Sequence, residues 1–110
     1  MVQNPKYLVI HLVRFDDTFD HYGKLRVVKN HEEVLIDHTL SLTLFTRSVQ
    51  PQISSYELYG IVHHTGSLSG GHYVSEVKIG DGRWYRCNDS SINQIRHSTE
   101  RSTTAYVLFY

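Results

Sequence analysis

The stretch from His72 to Asn88 restricts this chain more than any other. Its centre is Gly80-Asp81-Gly82, with residues 72–79 before it and residues 83–88 after it. Glycine and aspartate supply the positive φ angles that tight hairpin turns require. Residues 72–79 alternate Tyr73 and Ser75 against Val74 and Glu76, the period of a strand. An antiparallel hairpin is predicted, and its register decides which side chains meet. A two-residue loop at Gly80-Asp81 places Ile79 opposite Gly82 and His72 opposite Asp89. Directly opposed residues share a face, with Cβ atoms roughly 4.5–5.5 Å apart. A loop at Asp81-Gly82 makes the same two residues diagonal neighbours instead. Both registers bring an imidazole within reach of a carboxylate.

The rest of the chain extends the β reading. Residues 7–15 are nearly continuous apolar and rich in β-branched types, which predicts a central strand covered on both faces. Residues 16–24 are polar and contain Gly23, predicting a hairpin turn before a short strand at 25–28. Residues 39–45 fit a short helix or a strand equally well, and residues 47–55, with Pro51, read as a loop. Residues 56–64 read as a strand, 65–71 as a glycine- and serine-rich loop, 90–104 as a polar segment with room for a helical turn, and 105–110 as a last apolar strand. The expected fold is mainly β, an α+β arrangement with little helix, in one domain over residues 1–110. It has about six strands in a mostly antiparallel sheet.

Eleven basic and eleven acidic residues balance, which argues against nucleic acid or an anionic membrane as partner. No apolar run approaches the ~20 residues of a membrane span. The lone Cys87 has no partner for an internal disulfide, which suits a reducing compartment, cytoplasmic or nuclear.

A carboxylate beside an imidazole holds the ring in one tautomer and stabilises the imidazolium that forms when the ring takes a proton. His72 and Asp89 therefore read as the base and orienter of a thiol or serine hydrolase, or as an ordinary cross-strand polar pair. Cys87 is a poor nucleophile in mid-strand, where backbone N–H groups are committed to the ladder and cannot bind an oxyanion; it reads as a small buried hydrophobe. His63 and His64 are adjacent and point to opposite faces, with His63 expected to be exposed. A metal site from His64, His72 and Asp89 lacks any motif of ligand spacing, so no metal or cofactor is implied. Trp84, Tyr85 and the tyrosines at 56, 59, 106 and 110 read as packing. Arg14, on an apolar strand, needs a carboxylate or carbonyl partner.

Four ordered blocks add a family resemblance. Residues 56–66 (Tyr-Glu-Leu-Tyr-Gly-Ile-Val-His-His-Thr-Gly), the loop 67–70 and Gly71-His72-Tyr73-Val74-Ser75 resemble the histidine box of the ubiquitin-specific proteases, the ubiquitin carboxyl-terminal hydrolases of peptidase family C19. Residues 82–90, the ending 105–110 and Leu12-Val13-Arg14-Phe15 are similar to that family's later strands and its Arg-Phe strand. The resemblance implies the palm portion of a papain-like cysteine protease fold, which holds ubiquitin and cleaves after its C-terminal glycine. It implies His72 as general base and Asp89 as orienter. Gly70 and Gly71 would let the substrate tail pass close to the backbone, with Tyr73 and His64 lining its channel. Residues 67–70 and 29–33 would correspond to the loops over that channel, although Asn30-His31 departs from the apolar-proline pair usual there.

The family's nucleophilic cysteine and its oxyanion-hole amide have no counterpart in these 110 residues, nor have the zinc-binding Cys-x-x-Cys pairs of many members. The expected partner is therefore ubiquitin or a ubiquitinated protein, together with a cysteine-bearing N-terminal half. By itself the chain is expected to be inactive and prone to self-association. The alternative is a catalytically dead ubiquitin-binding or interaction module built on the same sheet.

Overall fold

A computed structural model describes residues 5–44 and 52–110. Twelve strands account for its regular structure, and the described residues contain no helix. In chain order they are β1 Val9–His11, β2 Phe15–Phe19, β3 Leu25–Lys29, β4 Val34–Leu35, β5 Thr39–Leu44, β6 Gln52–Glu57, β7 Gly60–Ser67, β8 Gly70–Lys78, β9 Trp84–Asn88, β10 Ser91–Ile95, β11 Arg101–Ser102 and β12 Ala105–Phe109. Six form one sheet in the order β1-β12-β7-β8-β9-β10, antiparallel at every junction, and the pairs β2–β3, β5–β6 and β4–β11 form two-stranded ladders. The mainly β, six-stranded antiparallel architecture expected from the sequence is the one observed.

Register divides the large sheet into two faces. Ile10, Leu108, Ile61 and Glu76 align across four strands on one face, and Trp84 and Ile95 pair on that same side. This face meets Ile36, Tyr56 and Leu58, and together they form the core with Ala105 and Tyr110. Fully burying side chains such as Leu58 and Ile61 stabilises the fold by about 1.5–3 kcal/mol each. Two of the core tyrosines satisfy their hydroxyls at the boundary: Tyr56 donates to Pro5 O at 2.6 Å and Tyr110 to Asp37 O at 2.7 Å.

Several local expectations change. The apolar run 7–15 is no central strand: only Val9–His11 is extended, at the sheet edge and paired with β12 alone. Val9 is 56% and Val13 77% exposed, because this chain covers one face of that strand and not the other. The run ends at Arg14, whose guanidinium turns inward to Ala105 O (2.6 Å), Asn30 O (3.2 Å), Glu32 O (2.9 Å) and Ser102 O (3.4 Å). The carbonyl partners demanded by a buried cation are therefore present.

The turn in 16–24 shrinks to residues 20–24, where Asp20 Oδ1 accepts from Tyr22 N and Lys24 N at 2.9 Å each and Gly23 adopts φ 74°. The ambiguous segment after His38 is a strand, β5. The loop expected at 47–55 is already strand from Gln52, and residues 45–51 lie outside the described residues. The strand at 56–64 breaks at Leu58-Tyr59, and the loop at 65–71 contracts to a turn at Leu68-Ser69 between β7 and β8. The polar segment 90–104 holds β10 and β11 rather than a helical turn, since hairpin pairing satisfies its backbone groups without one.

Candidate active site

The β8–β9 hairpin has neither of the two-residue loops considered above. Ile79 N donates to Arg83 O at 2.9 Å and Gly82 N to Ile79 O at 2.8 Å, so Gly80-Asp81-Gly82 is a three-residue loop, with Gly82 at φ 88°. A turn followed by a left-handed glycine is the usual build of such loops. Lys78 consequently pairs with Trp84, Glu76 with Arg86 and Ser75 with Cys87. Because side chains alternate faces along a strand, one step of register changes which residue shares His72's face. That residue is Asn88, two positions on from Arg86.

The contact follows the register. His72 Nε2 lies 2.6 Å from Asn88 Oδ1. With the amide oxygen accepting, Nε2 carries the ring proton and Nδ1 is the unprotonated nitrogen. Both side chains are exposed, so the free nitrogen is open to an incoming group. Asp89 is instead the first residue of the two-residue turn joining β9 to β10, with φ 52°. Its side chain makes no hydrogen bond or ion pair among the described residues. The expected cross-strand pairing of His72 with Asp89 does not form, and Asn88 is the residue that sequence reasoning missed. A signal was available: glycine at the third place of Gly-Asp-Gly favours the three-residue loop.

The two glycines before His72 differ. A Cβ on Gly70 would meet nothing within 4 Å, whereas one on Gly71 would lie 2.3 Å from His64 Nε2 and 2.5 Å from Thr65 O. The space beside Gly70 is therefore open. At Gly71 the missing side chain makes room for this protein's own His64.

His64 is 4% exposed. Its ring packs on Tyr73 (centroids 4.8 Å apart), Tyr106 (5.5 Å) and Phe15 (5.8 Å). Lys29 Nζ lies 3.0 Å from its Nδ1 and 2.8 Å from its backbone oxygen. Burial, and then the Lys29 charge, pull the His64 pKa down, so the ring is neutral at neutral pH. Tyr73, directly opposite His64, is 57% exposed on that face of the sheet. His64 and Tyr73 thus flank Gly71 from one face while His72 projects on the other.

His63 is buried, contrary to expectation. Its Nε2 bonds the Glu76 carboxylate and its Nδ1 lies 3.0 Å from Thr104 Oγ1. Glu76, 1% exposed, also accepts from Thr99 N at 2.9 Å and Thr99 Oγ1 at 2.8 Å. Burial pushes the Glu76 carboxyl up, but the hydrogen bonds from His63 and Thr99 outweigh it and leave the pKa below its ordinary value. This network ties residues 99 and 104 to the sheet behind His72. Cys87 is half-buried between Ser75 and Ile92, on the face away from His72 and Asn88. Among the described residues no group of three or more His, Cys, Asp or Glu side chains is placed to hold a metal ion.

A base with its proton fixed on the far nitrogen can deprotonate a thiol or hydroxyl brought to Nδ1. The chain also matches known proteins. The family model for ubiquitin carboxyl-terminal hydrolase matches residues 1–110. Ubiquitin carboxyl-terminal hydrolase 10 of Arabidopsis thaliana is 37% identical over 96% of the chain, and human ubiquitin carboxyl-terminal hydrolase 2 is 37% identical over the same share. The chain spans only 11% and 17% of those two proteins. Among solved structures, the SAGA Ubp8/Sgf11/Sus1/Sgf73 DUB module bound to ubiquitin aldehyde contains a chain with TM-score 0.75 and 31% identity, of which this chain covers 24%. The module with Ubp8(C146A), bound to monoubiquitin, gives TM-score 0.76 and 32% identity. On sequence and fold together, the 110 residues belong to the ubiquitin carboxyl-terminal hydrolase family.

Proposed function

We propose that this chain is the histidine-bearing palm portion of a ubiquitin-specific thiol protease, which removes ubiquitin from proteins by hydrolysing the bond after ubiquitin's C-terminal glycine. The observation that carries the reading is the 2.6 Å contact between His72 Nε2 and Asn88 Oδ1, which leaves Nδ1 free. A cysteine from a segment outside these residues would give its proton to Nδ1, and its sulfur would attack the glycine carbonyl carbon. The imidazolium would then protonate the departing amine, and water would release ubiquitin from the thioester with His72 again as base. Asn88 holds the ring by its amide. Asp89 lies one residue further, in the turn between β9 and β10, and makes no hydrogen bond to the ring. Gly70, Gly71, Tyr73 and His64 border the path of the ubiquitin tail.

The test pairs the chain with the cysteine-bearing N-terminal part of the Arabidopsis relative and adds a ubiquitin C-terminal vinyl electrophile. Labelling of the supplied cysteine only when the chain is present, and its loss in His72→Ala, is the expected outcome. Ubiquitin binding without labelling would favour the alternative, an inactive ubiquitin-binding module. Labelling of Cys87 in the chain alone would overturn the assignment of the nucleophile to another segment.

A further inference from the structure

We propose that Lys29 is a positioning residue for the base: it fixes the tautomer and ring of His64, on which Gly71, the residue before His72, rests. The inference rests on the reading of His72 as general base.

An ammonium group can only donate hydrogen bonds. With Lys29 Nζ 3.0 Å from His64 Nδ1, that nitrogen must be the acceptor and the ring proton must lie on Nε2. The same ammonium donates to His64 O at 2.8 Å, so one cation grips both the side chain and the backbone of a single residue. Two anchor points on one residue set the ring's torsion as well as its protonation. His64 N donates to Thr104 O at 2.9 Å, which fixes the backbone from the bend just before β12.

The ring's far edge then meets β8. A Cβ on Gly71 would lie 2.3 Å from Nε2 and 2.9 Å from Cε1, so the glycine backbone packs directly on the imidazole. Phe15, Tyr73 and Tyr106 close the remaining sides of the ring. A ring flipped or re-protonated by loss of Lys29 would place a different edge against Gly71 and move the backbone carrying His72. No protein acceptor meets the Nε2 proton among the described residues, so Lys29 alone selects the tautomer.

Lys29 is costly to hold here. Burial, and then the charge of Arg14, pull its pKa down, and its other neighbour is the Phe15 ring, 5.8 Å away. It belongs to β3, and its ammonium joins the β2–β3 hairpin to the strand carrying His64 by hydrogen bonds, beside the ring contact of Phe15 with His64.

The experiment is imidazole nitrogen NMR on the 110-residue chain labelled with 15N-histidine at neutral pH. His64 is expected as a single Nε2–H tautomer with a hydrogen-bonded Nδ1. Lys29→Met should give a tautomer mixture at His64 and a shift of the His72 nitrogens, with Lys29→Arg restoring the parent pattern in part. A wild-type His64 carrying its proton on Nδ1 would overturn the proposal even if the methionine variant does not fold. So would a folded Lys29→Met chain with both rings unchanged. These readouts need no ubiquitin, whereas the protease reading fails separately, through absent labelling in the reconstituted wild type.

Discussion

Alanine at Gly70 and at Gly71 should have opposite effects, although the two residues are adjacent and have ordinary φ angles. At Gly71 the new Cβ would lie 2.3 Å from His64 Nε2 and 2.5 Å from Thr65 O, where ordinary contact begins at 3.4 Å. About 1 Å must be found by movement. The Thr65 oxygen is backbone in the middle of the β7–β8 ladder, and the His64 ring is held by Lys29 and three aromatic rings. Neither can yield at little cost. Overpacking a filled site costs about 1–3 kcal/mol, and Gly71→Ala belongs in the upper half of that range. At Gly70 the Cβ meets nothing, so what remains is the lower entropy of the unfolded alanine chain, which stabilises by about 0.4–1 kcal/mol. Urea unfolding of both variants beside the parent chain measures the difference. Equal shifts, or a Gly71→Ala chain as stable as the parent, would refute the claim that His64 occupies the space beside Gly71.

Four further outcomes follow from the structure. Glu76 has a folded-state pKa below its unfolded one, so its contribution is complete above the unfolded carboxyl value of about 4.3 and is lost as pH falls through the lower folded value; in Glu76→Gln this acid-side loss of stability should flatten in a pH series of melts, and an unchanged profile would exclude the group. In the reconstituted labelling assay, Asn88→Ala should slow the reaction by at least about tenfold, roughly 1.4 kcal/mol, and Asp89→Ala by less; the reverse order would return the orienting role to Asp89. Asp89→Gly should leave stability equal or higher by up to about 1 kcal/mol, since glycine adopts φ 52° without the cost borne by other residues. Arg14→Met removes a cation bonded to four carbonyls and should destabilise by about 3 kcal/mol or more in the same urea series, with a smaller loss disproving its bracing role.

Much of the fold was legible because it depends on local chemistry. The Gly-Asp-Gly turn, the alternation in 72–79 and the apolar ending 105–110 each specify a strand or a turn from a few adjacent residues. The resemblance carried by residues 56–75 and 82–90 pointed to the family that the comparisons show. The errors share one cause: they concern features decided across strands. Residues 7–15 are apolar, but sequence cannot say which face of an edge strand this chain covers. His63 looked exposed because polar residues usually are, and its burial depends on Glu76, Thr99 and Thr104 arriving from three other segments.

By itself the sequence determined the hairpins, the face alternation and the presence of a histidine near an amide and an acid, since these follow from turn chemistry and a period of two residues. Only the tertiary structure decided that the amide, not the acid, meets His72. One residue of loop length exchanges the two faces of a strand, and that residue is counted by backbone hydrogen bonds rather than by composition. It also decided that Gly71 yields its space to His64 and that Lys29 holds that ring. The Lys29 contact joins residues 35 positions apart and the Gly71 contact depends on how β7 pairs with β8, so no local pattern encodes either.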